Sequence, residues 1–230
     1  PDPEITSLVY LNIEKTHTFT EEDRANALSS LANFDFLSEA GVEGTKNLDE
    51  FIKEKKDQAR SKQCIPSLSQ WDKLRHINFS GWEKLTNLNG IHHVKSLTSL
   101  NLENCRSLRQ IEDLNECHVL EHLNLLGCIN LESLSGLSGT KLRCLELSLA
   151  NYQHIQNFDE ISHIAEYLEH LRLINIPALE HVDFLKKSYQ LKILELPQCH
   201  NLENLDGVSE LNCLEELKLS VCTKLDSLKP

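Results

Sequence analysis

Apolar residues recur along the chain at fixed offsets within units of about 23 residues. With Leu97 as position zero, apolar residues fall at positions +3, +5, +8, +11, +14 and +17, and the same offsets return from Leu120. Near-complete units of this kind begin at Leu74, Leu97, Leu120, Leu168, Leu191 and Leu214. A variant unit begins at Leu142 and departs from the pattern after Ala150. This regularity indicates a chain built from stacked copies of one supersecondary unit.

Each unit is interpreted as one coil of a solenoid. Positions +3 and +5 lie on the same face of a short strand, position +8 turns the chain inward, and the later positions return it along the outer side. Because a single coil leaves its apolar edge exposed, coils must stack, and stacking aligns their strands into one parallel sheet. The pattern predicts an α/β solenoid of about nine coils, with the parallel sheet on the concave face, short convex loops and a few helices. The leucines at +3 and +5 are predicted to be buried in every regular unit, including Leu217 and Leu219 of the last.

Cysteine occupies position +8 in four units, as Cys105, Cys128, Cys199 and Cys222. Together with the leucine offsets, this resembles the leucine-rich-repeat family, in particular its cysteine-containing class, over Leu74 to Leu228. That class is similar to repeats of F-box ubiquitin-ligase receptors, plant intracellular immune receptors and some protozoan proteins. Outer segments such as Leu134-Ser135-Gly136-Leu137 look more like the short repeats of a phosphatase regulatory subunit. The resemblance implies a protein-recognition module, acting as a sensor or substrate receptor within a larger chain.

The N-terminal third of the chain is less regular than the rest. Two interpretations stay open for residues 1–73: degenerate repeats with outer helices, or a separate helical cap. Thr20 and Asn47 are candidate N-caps for helices in this part. Residues 74–230 are assigned to the regular repeats.

The variant unit after Leu142 is longer than the others. Its apolar residues Phe158, Ile161, Ile164 and Leu168 stand at near-helical spacing. The sequence therefore predicts a helix on the convex side from about Asp159 to Tyr167.

Composition narrows the range of partners and compartments. The formal net charge of −12 opposes non-specific binding of nucleic acid. No apolar run is long enough to span a membrane, and the absence of Met from the sequence predicts a piece of a longer chain. The eight cysteines form no Cys-x-x-Cys pair and do not cluster at the chain ends, which predicts reduced thiols and a cytoplasmic or nuclear location.

No motif in the sequence indicates catalysis or a cofactor. There is no His-Glu-x-x-His zinc motif, Gly-rich phosphate loop or Gly-x-Ser-x-Gly elbow. The cysteines at +8 are interpreted as small buried residues and not as metal ligands, since Ile176 and Ala150 take the same position. We therefore predict that the chain is not an enzyme and needs neither cofactor nor metal.

The concave face is expected to carry positions +2, +4 and +6, because +3 and +5 face the core. Neighbouring strands lie about 4.8 Å apart, so residues in one row can interact. Along the +4 row the asparagines can pair among themselves and the charges alternate in sign. A self-satisfied ladder and a ligand-binding row fit this row equally well. The +4 row reads Asn78, Asn101, Asn124, Glu146, Arg172, Glu195 and Lys218.

The two flanking rows contain apolar residues where solvent is expected. A contiguous apolar patch suggests a partner, whereas a neutral surface or one covered by a cap is the alternative. Basic and acidic residues border the patch, so the charge of the partner stays open. The predicted partner-binding residues are Leu126, Ile174, Ile193, Pro197, His122, His170, Arg172, Glu146 and Glu195.

Protein recognition through the concave face is the function that these residues favour. The repeat resemblance implies part of a larger receptor, sensor or ubiquitin-ligase substrate receptor. Two alternatives remain: a regulatory subunit of an enzyme such as a protein phosphatase, and a scaffold in a cytoskeletal assembly.

The first prediction concerns the thiols. All eight cysteines are expected to be free, so thiol titration under denaturing conditions, without a reductant, should return eight per chain. A lower count that rises to eight after reduction would reveal a native disulfide and contradict this account of the cysteines.

Overall fold

The structure is a computed structural model that describes residues 63–65, 74–148, 155 and 158–225. The alternatives for residues 1–73 and the two helix N-caps at Thr20 and Asn47 therefore lie outside the described residues, apart from 63–65. Within the described part, no helix is long and apolar enough to cross a membrane.

Seven parallel strands form one open sheet, in which every strand pairs with its neighbour in the sequence. The register matches the repeat offsets, since Leu100 pairs with Leu123 and Leu123 pairs with Leu145. This confirms the solenoid and its period in the described residues. The strands are β1 His76–Asn78, β2 Ser99–Asn101, β3 His122–Leu125, β4 Cys144–Ser148, β5 His170–Ile174, β6 Ile193–Glu195 and β7 Glu216–Lys218.

The return segments on the convex side are short turns of helix. Within the described ranges, one is an α-helix, α1 (Asp159–Ser162), and the others are 3-10 helices. The 3-10 helices span Ile91–His93, Glu112–Glu116, Ser135–Gly139, Ala165–Tyr167, Asp183–Leu185 and Asp206–Val208.

The continuous helix predicted from Asp159 to Tyr167 is wrong in length. The structure divides this segment into α1 and the 3-10 helix Ala165–Tyr167, with His163 and Ile164 between them. Ile161 and Ile164 are both fully buried, and a tight turn with three residues per turn brings residues three apart to the same side. The tighter turn allows the chain to bury both side chains and still reach β5 a few residues later.

Coils approach closely where the convex segments carry glycine. A Cβ added at Gly136 would lie 1.8 Å from the carbonyl oxygen of Ile111 in the preceding coil. At Gly207 the corresponding distance, to the carbonyl oxygen of Val182, is 2.3 Å. The Leu-x-Gly segments of the sequence therefore permit backbone-to-backbone packing of neighbouring convex turns.

The leucines at +3 and +5 form a continuous core from β2 to β6. The prediction fails in the last coil, where Leu217 is 38% exposed and Leu219 is only partly buried. Cys222, expected to be buried, is half-buried. The reason is that β7 pairs with β6 on one side, and no coil within the described residues covers its other side.

The cysteines at +8 are hydrogen-bond donors as well as small core residues. The Cys105 thiol donates to the carbonyl oxygen of Phe79 at 3.2 Å, and the Cys128 thiol to that of Leu102 at 3.1 Å. The acceptor is the +5 residue of the preceding coil in both cases, and Cys199 and Cys222 repeat the arrangement. Burial raises the pKa of Cys105 to about 12, which keeps its thiol protonated and able to donate. Each such cysteine therefore links two coils at the end of a strand.

A left-handed residue follows the strand at position +7 of the regular coils. Glycine takes this position at Gly81 and Gly127, but Val221 adopts it with a φ of 59°. The left-handed conformation suits glycine and is tolerated by asparagine, whereas a β-branched side chain is strained there. The non-glycine residues with this backbone are Asn104, Asn175, Gln198 and Val221.

The left-handed turn directs a backbone N–H toward the next coil. Asn104 donates to the carbonyl oxygen of Leu126 at 2.7 Å, and Gln198 donates to that of Ser220 at 2.6 Å. Position +7 is therefore constrained by the stacking of the coils and not by its own side chain.

The second prediction follows from the strain at Val221. Replacing Val221 with Asn, the residue found at the same position in two other coils, should raise the free energy of unfolding by about 1 kcal/mol, because asparagine tolerates this backbone. Val221 is 58% exposed, so the loss of its side chain removes little packing. Urea denaturation of the two proteins measures the change.

Val119→Asn is the matched control. Val119 is also exposed, at 45%, but it does not have a positive φ. This substitution should give no stabilisation. Equal effects of the two substitutions, or a loss of stability in Val221→Asn, would contradict the assignment of strain to Val221.

Candidate partner-binding surface

The register of the sheet determines which concave residues are neighbours. Glu146 pairs with Arg172 and Arg172 pairs with Glu195, so three of the predicted site residues lie side by side in the +4 row. His122 pairs with Cys144, Cys144 with His170, and His170 with Ile193 in the +2 row. The structure thus brings these predicted residues together on one face of strands β3 to β6.

Ion pairs join the charged residues of the +4 row. Arg172 lies between two carboxylates, with Nη1 at 3.2 Å from Oε2 of Glu146 and Nε at 3.3 Å from Oε2 of Glu195. Lys218 Nζ lies 3.2 Å from Oε1 of Glu195 and 3.1 Å from Oε1 of Glu216. The expected neutralisation of alternating charges is therefore present. These side chains hold each other in place and present a nearly balanced charge.

Glu195 is the centre of this network. Its side chain is only 14% exposed, and it contacts Arg172, Lys218 and His170, whose Nε2 lies 3.3 Å from Glu195 Oε1. Burial raises the pKa of Glu195, but Lys218, Arg172 and His170 outweigh it and hold the pKa below its usual value. The ionised carboxylate is thus the form that the folded state favours.

The asparagines of the +4 row do not use their side-chain oxygens for one another, which corrects the expectation of mutual pairing. Oδ1 of Asn78 accepts the N–H of Ser80 at 2.8 Å, and Oδ1 of Asn101 accepts the N–H of Glu103 at 2.9 Å. Asn124 makes the same contact with Leu126. A side-chain bond to the backbone two residues on is geometrically local and closes the turn at the strand end.

Burial of the asparagines also differs from the expectation of exposure. Asn78 is 6% exposed, and Asn101 and Asn124 are half-buried. Asn78 belongs to the sequence Asn78-Phe79-Ser80, which matches the glycosylation sequon. In the folded state the Asn78 side chain is buried, and its Oδ1 is engaged by the N–H of Ser80.

The four apolar residues of the predicted patch are half-buried but not contiguous. Ile174 and Pro197 are neighbours in the +6 row, where the N–H of Asn175 donates to the carbonyl oxygen of Pro197 at 2.9 Å. Ser148 pairs with Ile174 and separates it from Leu126. Ile193 lies in the +2 row, four residues from Pro197, or about 13 Å along the strand. The patch is therefore a pair, Ile174 and Pro197, with Leu126 and Ile193 apart from it.

A contact between Cys144 and His170 was not foreseen from the sequence. The Cys144 sulfur lies 3.8 Å from Nδ1 of His170, and the opposite ring nitrogen faces Glu195. Nε2 of His170 is buried and has no hydrogen bond of good geometry within the described residues. Cys144 and His170 both stand at +2 of adjacent units, so their positions in the repeat could have indicated that they are neighbours. That inference required the variant unit to keep its strand in register with the next strand.

The described residues contain no group of three or more His, Cys, Asp or Glu side chains arranged to hold a metal ion. All eight cysteines of the sequence fall within this part and are unpaired. The candidate site is therefore the rigid concave face of the sheet. On this face the charged +4 row lies between the +2 and +6 rows, which contain both polar and apolar residues.

The parallel one-strand coils define a leucine-rich-repeat protein, and comparison with known families agrees. A family model described as the leucine-rich-repeat domain of endo-β-N-acetylglucosaminidase EndoS matches residues 58–190, which is 133 of 230 residues. The chain belongs to this family of leucine-rich-repeat domains. Leucine-rich-repeat proteins commonly mediate protein–protein interaction and are generally binding modules without catalytic activity of their own.

The chain is also similar to two solved structures. Internalin C2 from Listeria monocytogenes is 17% identical, with 63% of this chain and 80% of that chain covered and a TM-score of 0.40. The leucine-rich-repeat domain of the type III effector XopL is 18% identical, with 97% and 83% covered and a TM-score of 0.43. No curated protein matches the sequence significantly. The family assignment therefore rests on the family model and on the repeats themselves.

The third prediction concerns the pH dependence of stability. The folded-state pKa of Glu195 is lowered, so the ionised Glu195 carboxylate stabilises the folded state. This contribution is complete above the unfolded-state pKa of about 4.3 and is lost as pH falls through the folded-state pKa. The free energy of unfolding of the wild type should therefore fall more steeply between about pH 5 and pH 3 than that of Glu195→Gln. Urea denaturation at a series of pH values measures both slopes.

Glu103→Gln provides the control on the same face. Among the described residues, Glu103 has no cationic partner and accepts a 3.5 Å hydrogen bond from Asn104. Its substitution should leave the slope near that of the wild type. A slope in Glu195→Gln equal to the wild-type slope would show that the ion pairs of Glu195 contribute nothing to stability in this range.

Proposed function

We propose that this chain recognises a partner protein through the concave face of its sheet. The observation that carries the proposal is the placement of apolar side chains, Ile174 and Pro197, beside the charged row on a face directed away from the core. A rigid parallel sheet loses little conformational entropy on association, and a few residues near the centre of a contact supply most of the affinity. The family membership supports a binding role.

The bordering residues suit polar contacts with such a partner. His122 is exposed and His170 is half-buried, so both rings border the face, and Arg172 reaches it between two carboxylates. Glu146 and Glu195 are engaged by Arg172, so a partner that uses these charges must compete with the existing ion pairs. Affinity should therefore depend more on Ile174 and Pro197, with Leu126 and Ile193 as outlying contacts, than on the charged row.

The repeats and the composition favour a general biological role, a compartment and a class of partner. The resemblance to the cysteine-containing class favours part of a larger receptor, sensor or ubiquitin-ligase substrate receptor. Eight unpaired cysteines favour a reducing compartment, the cytoplasm or the nucleus, and a net charge of −12 disfavours a nucleic-acid partner.

A role beside an enzyme is the second candidate, and the matching family favours it. The family is named for the leucine-rich-repeat domain of a glycosidase, an endo-β-N-acetylglucosaminidase. On this account the repeats accompany a catalytic domain or subunit and contact its protein substrate. A phosphatase regulatory subunit and a cytoskeletal scaffold are further versions of an accessory role.

The fourth prediction tests the concave face. Ile174→Asp should weaken partner binding by at least about 1–2 kcal/mol, because a charge replaces an apolar contact that a partner would desolvate. Ile193→Asp should weaken it by less, because Ile193 lies apart from Ile174 and Pro197. Both variants should remain folded, since these side chains lie outside the leucine core. The partner is first identified by affinity purification and mass spectrometry with the full-length protein, and its affinity for each variant is then measured by calorimetric titration.

Val119→Asp is the matched control, because Val119 is more exposed than either isoleucine but lies in the turn before β3, outside the sheet. It should bind the partner with wild-type affinity. Wild-type affinity in both isoleucine variants would move the site to the convex side. Recovery of a glycoprotein or a glycosidase subunit as the partner would favour the accessory role over the receptor role.

A further inference from the structure

Three neighbouring strands bring a thiol, an imidazole and a carboxylate into line on the concave face. Cys144 on β4 lies with its sulfur 3.8 Å from Nδ1 of His170 on β5. Nε2 of the same ring lies 3.3 Å from Oε1 of Glu195 on β6. The order thiol, imidazole, carboxylate is the arrangement in which a base activates a nucleophile while a third group orients the base.

The surroundings select one tautomer of His170. Nε2 has no hydrogen bond of good geometry, but the negative charge of the Glu195 carboxylate 3.3 Å away favours a proton on that nitrogen, which leaves Nδ1 unprotonated toward Cys144. Glu195 is itself held by Arg172 and Lys218, so its position does not depend on His170. Glu195 is therefore a positioning residue, and His170 can accept a proton from the Cys144 thiol.

The resting thiol is protonated. Burial raises the pKa of Cys144 to about 11, and Glu146 and Glu195 add to the effect. Few thiolates exist at neutral pH under these conditions, and the thiolate is the reactive form. Any reaction of Cys144 must therefore depend on removal of its proton by a neighbouring base during the attack.

The other cysteines lack this combination. Cys64 and Cys213 are exposed, whereas Cys105, Cys117, Cys128 and Cys199 are buried, and Cys222 bonds to backbone carbonyls at the end of the sheet. Within the described part of the chain, Cys144 is the cysteine whose sulfur contacts an imidazole. The same three groups do not form a metal site, because the described residues contain no suitable cluster of ligands.

We propose that Cys144 is a thiol modification site that reacts with small disulfides, with His170 as its general base. The Cys144 sulfur attacks one sulfur of the disulfide as Nδ1 of His170 takes the thiol proton. The disulfide bond breaks, a bond forms between Cys144 and the attacked sulfur, and the departing thiolate takes the proton from His170. The products are a mixed disulfide on Cys144 and one free small thiol, and the disulfide that reacts is the oxidant.

The test uses the full chain in its native state with cystamine, a small disulfide, as the probe. Samples are quenched with acid over time, and mass spectrometry of the peptides measures the mixed disulfide at each cysteine. His170→Gln should slow modification of Cys144 by at least about tenfold, because a positioned general base commonly contributes more than that. Modification of Cys213, which is exposed, should be unchanged in the same samples.

The sheet itself supplies a matched control. His122 flanks Cys144 on the other side of the +2 row, on β3, and is exposed. His122→Gln should leave the rate at Cys144 within about twofold of the wild type. Equal slowing by both substitutions, or no slowing by His170→Gln, would overturn the proposal.

A second measurement needs no variant and keeps the proposal testable if His170→Gln does not fold. An unfolded variant would reveal itself by modification of the buried Cys105 and Cys128. In the native wild type, the half-buried Cys144 should react at least as fast as the exposed Cys213, whereas in denaturant the two should react at similar rates. A native Cys144 that reacts only in denaturant would show that its thiol is inert.

Discussion

The structure depends on one constraint: a single coil cannot bury its own apolar edge. Each coil contributes leucines at +3 and +5 to a core that is completed only by the coils on either side, with strands about 4.8 Å apart. The last described coil shows the consequence directly, because Leu217 is 38% exposed where no described coil covers it. Burial in this molecule is a property of neighbouring pairs of coils and not of a coil alone.

Stacking also sets the polar geometry. Repeated contacts join neighbouring coils: in four coils a thiol at +8 reaches back to the carbonyl at +5 of the preceding coil, and in several a left-handed N–H at +7 reaches forward. The thiol contact explains how cysteine serves this position as a donor, and not merely as a small apolar residue. Glycine, asparagine and glutamine all make this forward contact at +7, with the same left-handed backbone. Val221 has the same left-handed backbone against its own preference, although it lies in the last described coil, where no forward contact of its N–H falls within the described residues.

On the concave face the same stacking makes side-by-side neighbours of residues that stand 22, 23 or 26 positions apart in the sequence. Glu146, Arg172, Glu195 and Lys218 neutralise one another along the +4 row, which leaves few unpaired charges to attract a partner. The proposed recognition through this face therefore depends on shape and on the apolar side chains beside the charged row. The proposed recognition also depends on the side chains of the +2 row, where His170 contacts both Cys144 and Glu195.

The sequence by itself determined the period, the parallel sheet, the burial of the leucines from β2 to β6 and the membership of each concave row, because all of these follow from offsets within a repeated unit. Tertiary structure alone decided what each side chain does within its row. The asparagines bond to their own backbone, Ile193 stands apart from Ile174 and Pro197, and the segment from Asp159 to Tyr167 breaks into two short helices. Offsets specify which residues face the same way, but distances, rotamers and competing acceptors depend on the neighbouring coil, which no single repeat contains.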